Sequence, residues 1–197
     1  FGKIVNRDQD LTAVLGVDYP QFLDFVNELR MMFDAYIKYK KQMNVMDYDD
    51  LLVQLLTLLQ ENPLVRENLS QRYQYIMVDE YQDTNRVQAD IVQYLAGPTQ
   101  NVMVVGDDSQ SIYSFRGAHF KNIMDFPNLF DQVTCLTLEQ NYRSKQPILD
   151  LTNAVISQAR EKYSKTLFSE RDGVNKPVYV ETDSETMQSQ FVVQKIL

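Results

Sequence analysis

Two adjacent acidic residues follow a short apolar run in the sequence. Tyr75 to Val78 has the composition of a buried strand, and Asp79 and Glu80 come directly after it. An aspartate at a strand end can hold a Mg²⁺ ion, and a neighbouring glutamate can orient and deprotonate a water that attacks a phosphate. The same pair can instead cap the next helix. Taken alone, the pair leaves both interpretations open.

A second polar segment, residues 104–118, begins in another apolar run. Its Gln110 is suited to bond a terminal phosphate. Its Tyr113 and Phe115 lie in a turn-rich stretch rather than on a regular apolar face, and exposed aromatic rings can stack on unpaired bases. Arg116 can contact a DNA phosphate or stack on a base. The alternative is that both rings belong to the core and that Arg116 pairs with a nearby acid.

The third segment, Leu138 to Ser144, carries an arginine beyond an apolar run. An arginine in that position, Arg143, can reach the charge that develops on a transferring phosphoryl group. The alternative is an ordinary surface arginine beside Ser144, which would act as a helix N-cap.

Alternating helices and strands must position these segments. Apolar periodicity predicts helices at residues 21–42, 48–59, 63–73, 86–95, 144–160 and 185–197. Asp47 and Thr84 are the predicted N-caps of the second and fourth of these helices. Apolar runs predict strands at residues 75–78, 102–105, 133–138 and 177–181. The pattern is typical of an α/β fold with a parallel sheet, in which polar segments converge at the carboxyl ends of the strands.

The polar segments share their order and spacing with a known family. The stretches VDEYQDTN, VVGDDSQSIYSFRGA and LEQNYRS resemble motifs II, III and IV of the UvrD/Rep/PcrA-type superfamily 1 DNA helicases. Asp47 to Leu52 resembles the DFDDLL segment that precedes motif II in these proteins. The resemblance is close from Met46 to Ile156 and looser toward both ends. Three long blocks in the same order make it specific.

The resemblance implies a motor of two RecA-like domains that binds Mg²⁺ and ATP between them and single-stranded DNA across the top. It implies that Asp79 holds Mg²⁺ and that Glu80 is the catalytic base. Gln110 would sense the γ-phosphate, and Arg143 would be an arginine finger supplied by the same chain. The remaining roles that the family implies are a link between nucleotide and DNA for Gln82 and Asp83, stacking near the adenine for Tyr142, and contacts to single-stranded DNA for Tyr113, Phe115 and Arg116.

The expected architecture is a partial RecA-like parallel sheet with flanking helices and a helical accessory segment. Residues 1–45 would form that accessory segment, which is similar to the 1B subdomain of the first half. Residues 46–140 would be the C-terminal part of the first motor domain, and residues 141–197 would begin the second. Many relatives carry tryptophan where this chain has Phe115, so a weaker grip on DNA is expected.

The phosphate-binding loop G-x-x-x-x-G-K-[ST] does not occur in these 197 residues. One interpretation is an excised central piece of a helicase that unwinds duplex junctions, and this piece would not hydrolyse ATP by itself. Another is a natural truncated relative that binds DNA or protein without catalysis. A third is a Mg²⁺-dependent phosphohydrolase or nuclease that uses the acids alone, which leaves Gln110 and Arg143 without a reason.

The amino-acid composition bears on nucleic-acid binding, on the redox state of the cellular compartment and on membrane association. The net charge of -8 argues against broad adhesion to phosphates, although a local basic or aromatic track remains compatible with it. The only cysteine, Cys135, precludes an internal disulfide and is expected to be a buried thiol in a reducing cytoplasm. No apolar run approaches the roughly 20 residues that a membrane-spanning helix needs, so no membrane association is expected.

Overall fold

The computed structural model describes residues 2–7 and 9–197, except for the side chains of Arg7 and Arg116. The chain divides into two compact units, Phe1–Cys135 and Leu136–Leu197. Within the described ranges, no helix is both long enough and apolar enough to cross a membrane.

The first unit is mainly helical. Its helices are α1 (Gly2–Arg7), α2 (Leu11–Asp18), α3 (Val26–Met43), α4 (Tyr48–Glu61), α5 (Pro63–Arg72), α6 (Arg86–Ala96) and α7 (Lys121–Asp125). A core cluster of Leu59, Val87 and Ile91 joins α4 to α6, and Leu69 of α5 packs against it. Burial of these aliphatic side chains is the main force that holds the three helices together.

A 3-10 turn, Pro20–Phe25, precedes α3, so the helix predicted from residue 21 takes up α geometry only at Val26. The apolar side chains of the turn and of α3 remain at least partly exposed, and none of the residues of these two elements is buried. Helix α1 packs on α2, α4 and α6.

Helix α4 begins as the sequence predicts. The Asp47 side chain accepts a hydrogen bond from the backbone N–H of Asp50 at 2.9 Å, and the Asp50 side chain accepts one from the backbone N–H of Asp47 at 3.0 Å. This reciprocal pair is a capping box, which satisfies two backbone N–H groups at the helix start.

The predicted cap of α6 is wrong by one residue. Asn85, not Thr84, is the N-cap, and it exchanges hydrogen bonds with Gln88 in a second capping box. The Thr84 hydroxyl instead donates to the carbonyl of Tyr81 at 2.7 Å, which closes the preceding turn. A threonine that bonds back to the turn before it is not available to the helix after it.

The sheet of the first unit is parallel. Its strands are β1 (Ile76–Val78) and β2 (Val102–Val104), with Met77 opposite Met103, and α6 lies in the connection between them. The ladder is extended by the backbone N–H of Val105, which donates to Val78 at 2.8 Å. Both methionines are exposed, so one face of this sheet is uncovered in the part of the chain that the structure describes.

The third and fourth predicted strands are wrong. Residues 133–138 and 177–181 carry no regular secondary structure, and no described residue forms a ladder with either segment. Leu136 and Leu138 are 85% and 84% exposed, and Cys135, predicted to be buried, is exposed as well. Apolar composition makes a strand only where a neighbouring strand accepts its backbone hydrogen bonds.

The second unit contains α8 (Gln146–Ser157) and α9 (Glu185–Ile196). Its one bridge in the described residues is parallel and joins Gln140 to Phe168. The predicted helix at 144–160 is confirmed within narrower bounds, but Ser144 is not its cap. The helix follows Lys145, and the backbone N–H of Ser144 donates to the Asn141 side chain at 2.7 Å.

Candidate functional site

The two acids predicted to do chemistry lie at the carboxyl end of β1, and both are exposed. The Asp79 carboxylate accepts a hydrogen bond from the backbone N–H of Glu80 at 2.9 Å. Glu80 has φ 51° and ψ 42°, in the left-handed region, which costs a residue other than glycine roughly 1–2 kcal/mol. This backbone bend turns the chain out of the strand and into a 3-10 turn, Tyr81–Asp83.

Gln82 follows the two acids in the chain, and its side chain is only 1% exposed. Its Nε2 donates to Glu80 Oε2 at 2.8 Å and lies 3.5 Å from Asp83 Oδ2, while its Oε1 accepts from the backbone N–H of Asp107 at 3.0 Å. A primary amide has two N–H donors and one acceptor oxygen, and here both kinds of group are engaged. The side chain of Gln82 therefore connects the turn after β1 with the turn after β2.

Asp107 continues this connection toward Gln110. The Asp107 carboxylate accepts from Gln110 Nε2 at 2.8 Å and from the backbone N–H of Ser109 at 3.0 Å. A chain of hydrogen bonds thus runs from Glu80 through Gln82 and Asp107 to Gln110. Because an amide NH₂ carries two hydrogens, the bond to Asp107 leaves Gln110 a second one for another acceptor.

Asp107 was not among the residues predicted for the site. An aspartate directly after a strand, with Ser109 two residues on, is a turn signal in any sequence. That signal indicates the local turn, but it does not indicate the contact with Gln82, which is 25 residues away along the chain.

Gly106 provides the space for the Gln82 amide. A Cβ atom built on Gly106 would lie 2.6 Å from Gln82 Oε1 and 2.7 Å from Ile123 Cδ1. Both distances are shorter than van der Waals contact. A glycine here leaves room for both side chains, whereas a larger residue would require them to shift.

The two aromatic residues of the second segment are exposed. Tyr113 and Phe115 are 38% and 61% exposed, and their ring centroids lie 5.9 Å apart with the planes inclined by 39°. The alternative that both rings belong to the core is therefore wrong. Arg116 ends a 3-10 turn that begins at Ser114, but its side chain lies outside the described part of the chain, and so does its expected contact.

Tyr142 and Arg143 belong to the second unit, and both are exposed. The Tyr142 hydroxyl donates to Gln140 Oε1 at 2.8 Å. The backbone around Arg143 is held from two sides, because its N–H donates to Asn141 Oδ1 at 2.9 Å and its carbonyl accepts from Arg171 Nη1 at 2.8 Å. The Arg143 side chain is thus presented from a fixed backbone in an exposed position.

The acids fit a magnesium ion of the kind that accompanies a nucleotide. Among the described residues, no group of three or more His, Cys, Asp or Glu side chains could hold a metal ion by itself. Mg²⁺ in phosphoryl-transfer sites is bound through one or two carboxylates, with waters and substrate phosphates as the remaining ligands. Exposed Asp79, with Glu80 beside it, supplies such a partial ligand set.

The buried side chain of Tyr81 anchors the turn Tyr81–Asp83 to the interior of the first unit. Its side chain is 0% exposed and meets the ring of Phe126 edge to face, with centroids 5.3 Å apart. Burial raises the pKa of its phenol to about 12. Within the described residues, the Tyr81 hydroxyl and Asp83 Oδ1 are buried oxygens without a hydrogen-bond partner.

Comparisons with known proteins place the chain in a family. The model of the UvrD/REP helicase N-terminal domain matches residues 20–131, and that of the UvrD-like helicase C-terminal domain matches residues 136–197. The chain is 38% identical over 198 residues to the ATP-dependent DNA helicase PcrA of Leuconostoc citreum, covering 100% of this chain and 26% of the relative. It is 37% identical to the protein of the same name from Staphylococcus epidermidis, covering 85% of this chain and 24% of the relative.

The chain spans about a quarter of the length of these curated relatives. The N-terminal family model alone matches more than half of the chain, and its matched residues contain both the acids after β1 and the segment after β2. On these grounds, the chain belongs to the UvrD/Rep helicase family.

Proposed function

We propose that the protein containing this chain hydrolyses Mg²⁺-bound ATP, moves along single-stranded DNA and opens duplex junctions. The chain would supply the catalytic acids and a DNA-contacting segment. The observation that carries the proposal is the hydrogen-bond chain from Glu80 through Gln82 and Asp107 to Gln110. It joins a group suited to activate water to a group suited to bind the terminal phosphate.

Glu80 acts as the general base in this proposal. Gln82 Nε2 donates to one oxygen of its carboxylate, Oε2, and holds that carboxylate in place. The other oxygen then accepts the proton of the attacking water. Asp79 would hold Mg²⁺, which when bound neutralises charge on the phosphate oxygens.

Gln110 is proposed as the sensor of the γ-phosphate. Phe115 follows it by five residues, and Tyr113 lies between them. A shift of Gln110 when the phosphate leaves is therefore passed over a short stretch of backbone to exposed rings that can stack on bases. Arg116 is proposed to contact the DNA backbone beside them. This arrangement would couple hydrolysis to stepping.

The second unit is proposed to begin the second motor domain. Arg143 would stabilise charge on the transferring phosphoryl group, and Tyr142 would stack near the adenine. Residues 1–45 are proposed as an accessory segment and residues 46–140 as part of a RecA-like motor domain. The uncovered sheet face at Met77 and Met103 supports this reading, because parallel sheets are normally covered on both faces. A cytoplasmic location is proposed because Cys135, as the only cysteine, cannot form an internal disulfide.

The proposal is tested by measuring Mg²⁺-dependent ATP hydrolysis with and without single-stranded DNA. The chain is compared with a longer protein in which an upstream G-x-x-x-x-G-K-[ST] loop precedes it, and with the Glu80→Gln variant of that protein. We expect hydrolysis stimulated by DNA in the longer protein alone. Robust turnover by the 197-residue chain would overturn the predicted inactivity of the segment. Silence of the longer protein, with DNA binding retained, would instead indicate a binding module without catalysis.

A further inference from the structure

The segment that carries the exposed rings is attached at both of its ends to the turn after β1. We name residues 107–118 the aromatic loop. At its start, the backbone N–H of Asp107 donates to Gln82 Oε1 at 3.0 Å, and the Ser111 hydroxyl donates to the Gln82 carbonyl at 3.4 Å. Directly after its end, the backbone N–H of His119 donates to the carbonyl of Thr84 at 3.0 Å. The loop therefore closes on the residues that follow the catalytic acids.

Asn122 makes most of the contact at the second attachment. Its Nδ2 lies 3.0 Å from the Thr84 carbonyl, 3.2 Å from the Thr84 hydroxyl and 3.0 Å from the Asn85 carbonyl. All three oxygens are acceptors around a single NH₂ group, which provides two hydrogens to share among them. Asn122 is the second residue of α7, and its neighbour Ile123 is buried against the site.

The chemistry of this contact requires an amide. An aspartate of the same shape would place a carboxylate oxygen beside two backbone carbonyls. An alanine would remove the side-chain donor and leave the Thr84 and Asn85 carbonyls only the backbone N–H groups of His119 and Ala89. Neither change alters the acids, Gln82, Gln110 or the aromatic rings. The contact can thus be removed without changing any group proposed to meet nucleotide or DNA.

We propose that Asn122 is a positioning residue that fixes the exit of the aromatic loop onto the turn after the catalytic acids. With both ends of the loop tied to that turn, a movement at Glu80 and Gln110 is transmitted to Tyr113 and Phe115. With only the first end attached, the loop can change its own conformation, and the movement at Glu80 and Gln110 does not reach the two rings. This inference rests on the proposed function, because it assigns Asn122 to the coupling between ATP hydrolysis and DNA contact.

The test uses the longer protein that carries an upstream phosphate-binding loop, as native sequence and as Asn122→Ala. The rate of ATP hydrolysis without DNA, the KM for ATP and the maximal stimulation by single-stranded DNA are measured. We expect the rate without DNA and the KM for ATP to stay within about twofold, and the stimulation to fall about tenfold, a change of the size that single residues exert on coupling between sites. Asn122→Ser keeps one donor and is expected to give an intermediate loss.

Asn101→Ala is the matched control. Asn101 also donates its side-chain amide to a backbone carbonyl, that of Gln74 at 2.8 Å, but at the start of β2 and away from the aromatic loop. We expect its stimulation by DNA to equal that of the native protein. Hydrogen exchange adds a readout independent of activity, with faster exchange of the His119 amide expected in Asn122→Ala and not in Asn101→Ala.

Two results would overturn the role of Asn122. Equal losses of hydrolysis with and without DNA would show that Asn122 merely supports the fold of the site. Unchanged stimulation with a faster-exchanging His119 amide would show that the attachment is not used in coupling. A native protein that hydrolyses no ATP under either condition would contradict the proposed function itself, and this inference would fall with it.

Discussion

Gln82 Oε1 lies 3.0 Å from the backbone nitrogen of Asp107, and this hydrogen bond joins the turn after β1 to the turn after β2. The neighbouring strands bring the two turns to the same edge of the sheet, but the strands alone do not set their spacing. That spacing depends on a buried amide whose donors face the carboxylates of Glu80 and Asp83. The amide therefore serves both the stability of the unit and the orientation of the proposed base.

Replacing Gln82 with glutamate should destabilise the chain strongly. The substitution removes the N–H donors and adds a buried carboxylate oxygen opposite two other carboxylates. We expect the free energy of unfolding to fall by about 2 kcal/mol or more, because an unpaired charge is buried. Urea unfolding followed by far-UV circular dichroism measures the change.

The control for this substitution is Gln71→Glu. Gln71 also donates to a carboxylate, that of Glu67 at 3.2 Å, but this pair is exposed on α5. Water solvates the new charge there, so we expect a loss of no more than about 0.5 kcal/mol, the size of a like-charge pair on a helix surface. Similar losses at both positions would contradict the importance of the buried amide.

The left-handed backbone of Glu80 makes a second prediction. Among variants that lack the carboxylate, Glu80→Gly should be more stable than Glu80→Ala by about 1 kcal/mol, because glycine adopts φ 51° without strain. This order is the reverse of the one usually found in helices and strands. Both variants should be equally inactive in ATP hydrolysis when placed in the longer protein. A more stable alanine variant would show that the backbone at this position is not strained.

The elements around the site follow from local sequence signals. The apolar runs before Asp79 and Gly106 predict β1 and β2, and the Asp47 cap predicts the start of α4. Tyr113 and Phe115 lie off any periodic apolar face, which favours exposed rings but leaves burial in the core open until the structure is known. These features depend on residues close together in the chain, and sequence patterns report such features well.

The features that the sequence does not predict depend on distant partners. The run at 133–138 is as apolar as β1, yet it forms no ladder in the described part of the chain. Asp107 and Asn122 are ordinary turn and helix residues by type, and their contacts lie 25 and 38 residues away. An amide or carboxylate that bonds to backbone leaves no periodic pattern, so only the folded chain shows its role.

The buried phenol of Tyr81 makes a third prediction. Tyr81→Phe removes a hydroxyl that has no hydrogen-bond partner among the described residues, so at pH 7 we expect equal or greater stability, by up to about 1 kcal/mol. Burial raises the pKa of Tyr81 to about 12 from its ordinary value of 10.0, so the contribution of its neutral phenol to stability is unchanged below pH 10. That contribution is lost as pH rises toward 12, because the unfolded chain releases the proton first.

The stability of Tyr81→Phe relative to the native chain should therefore increase between pH 10 and 12, as measured by urea unfolding at each pH. Tyr75→Phe is the control, since Tyr75 is exposed and its hydroxyl meets solvent. We expect that variant to match the native chain within about 0.5 kcal/mol at pH 7. A marked loss of stability in Tyr81→Phe at pH 7 would show that the hydroxyl has a favourable partner after all.

Asp47 predicts how the cap of α4 responds to acid. Lys40 Nζ lies 2.8 Å from the Asp47 carboxylate, and this hydrogen bond, with that from the backbone N–H of Asp50, lowers the pKa of Asp47 from 3.8 to about 2. A lowered pKa means that the stabilisation is present above the unfolded value near 3.8 and is lost as pH falls through about 2.

The Asp47→Asn variant keeps a capping side chain but does not titrate. We therefore expect the native chain to be more stable than Asp47→Asn by an amount that is constant from about pH 7 to 5 and shrinks from about pH 4 to 2. Because the Asp47 side chain is about a third exposed, 1 M salt should reduce the difference. In a Lys40→Met background its pH dependence should become smaller, while the hydrogen bonds from the Asp50 N–H and the Tyr36 hydroxyl retain part of it. A difference that grows on acidification would contradict the pairing of Lys40 with Asp47.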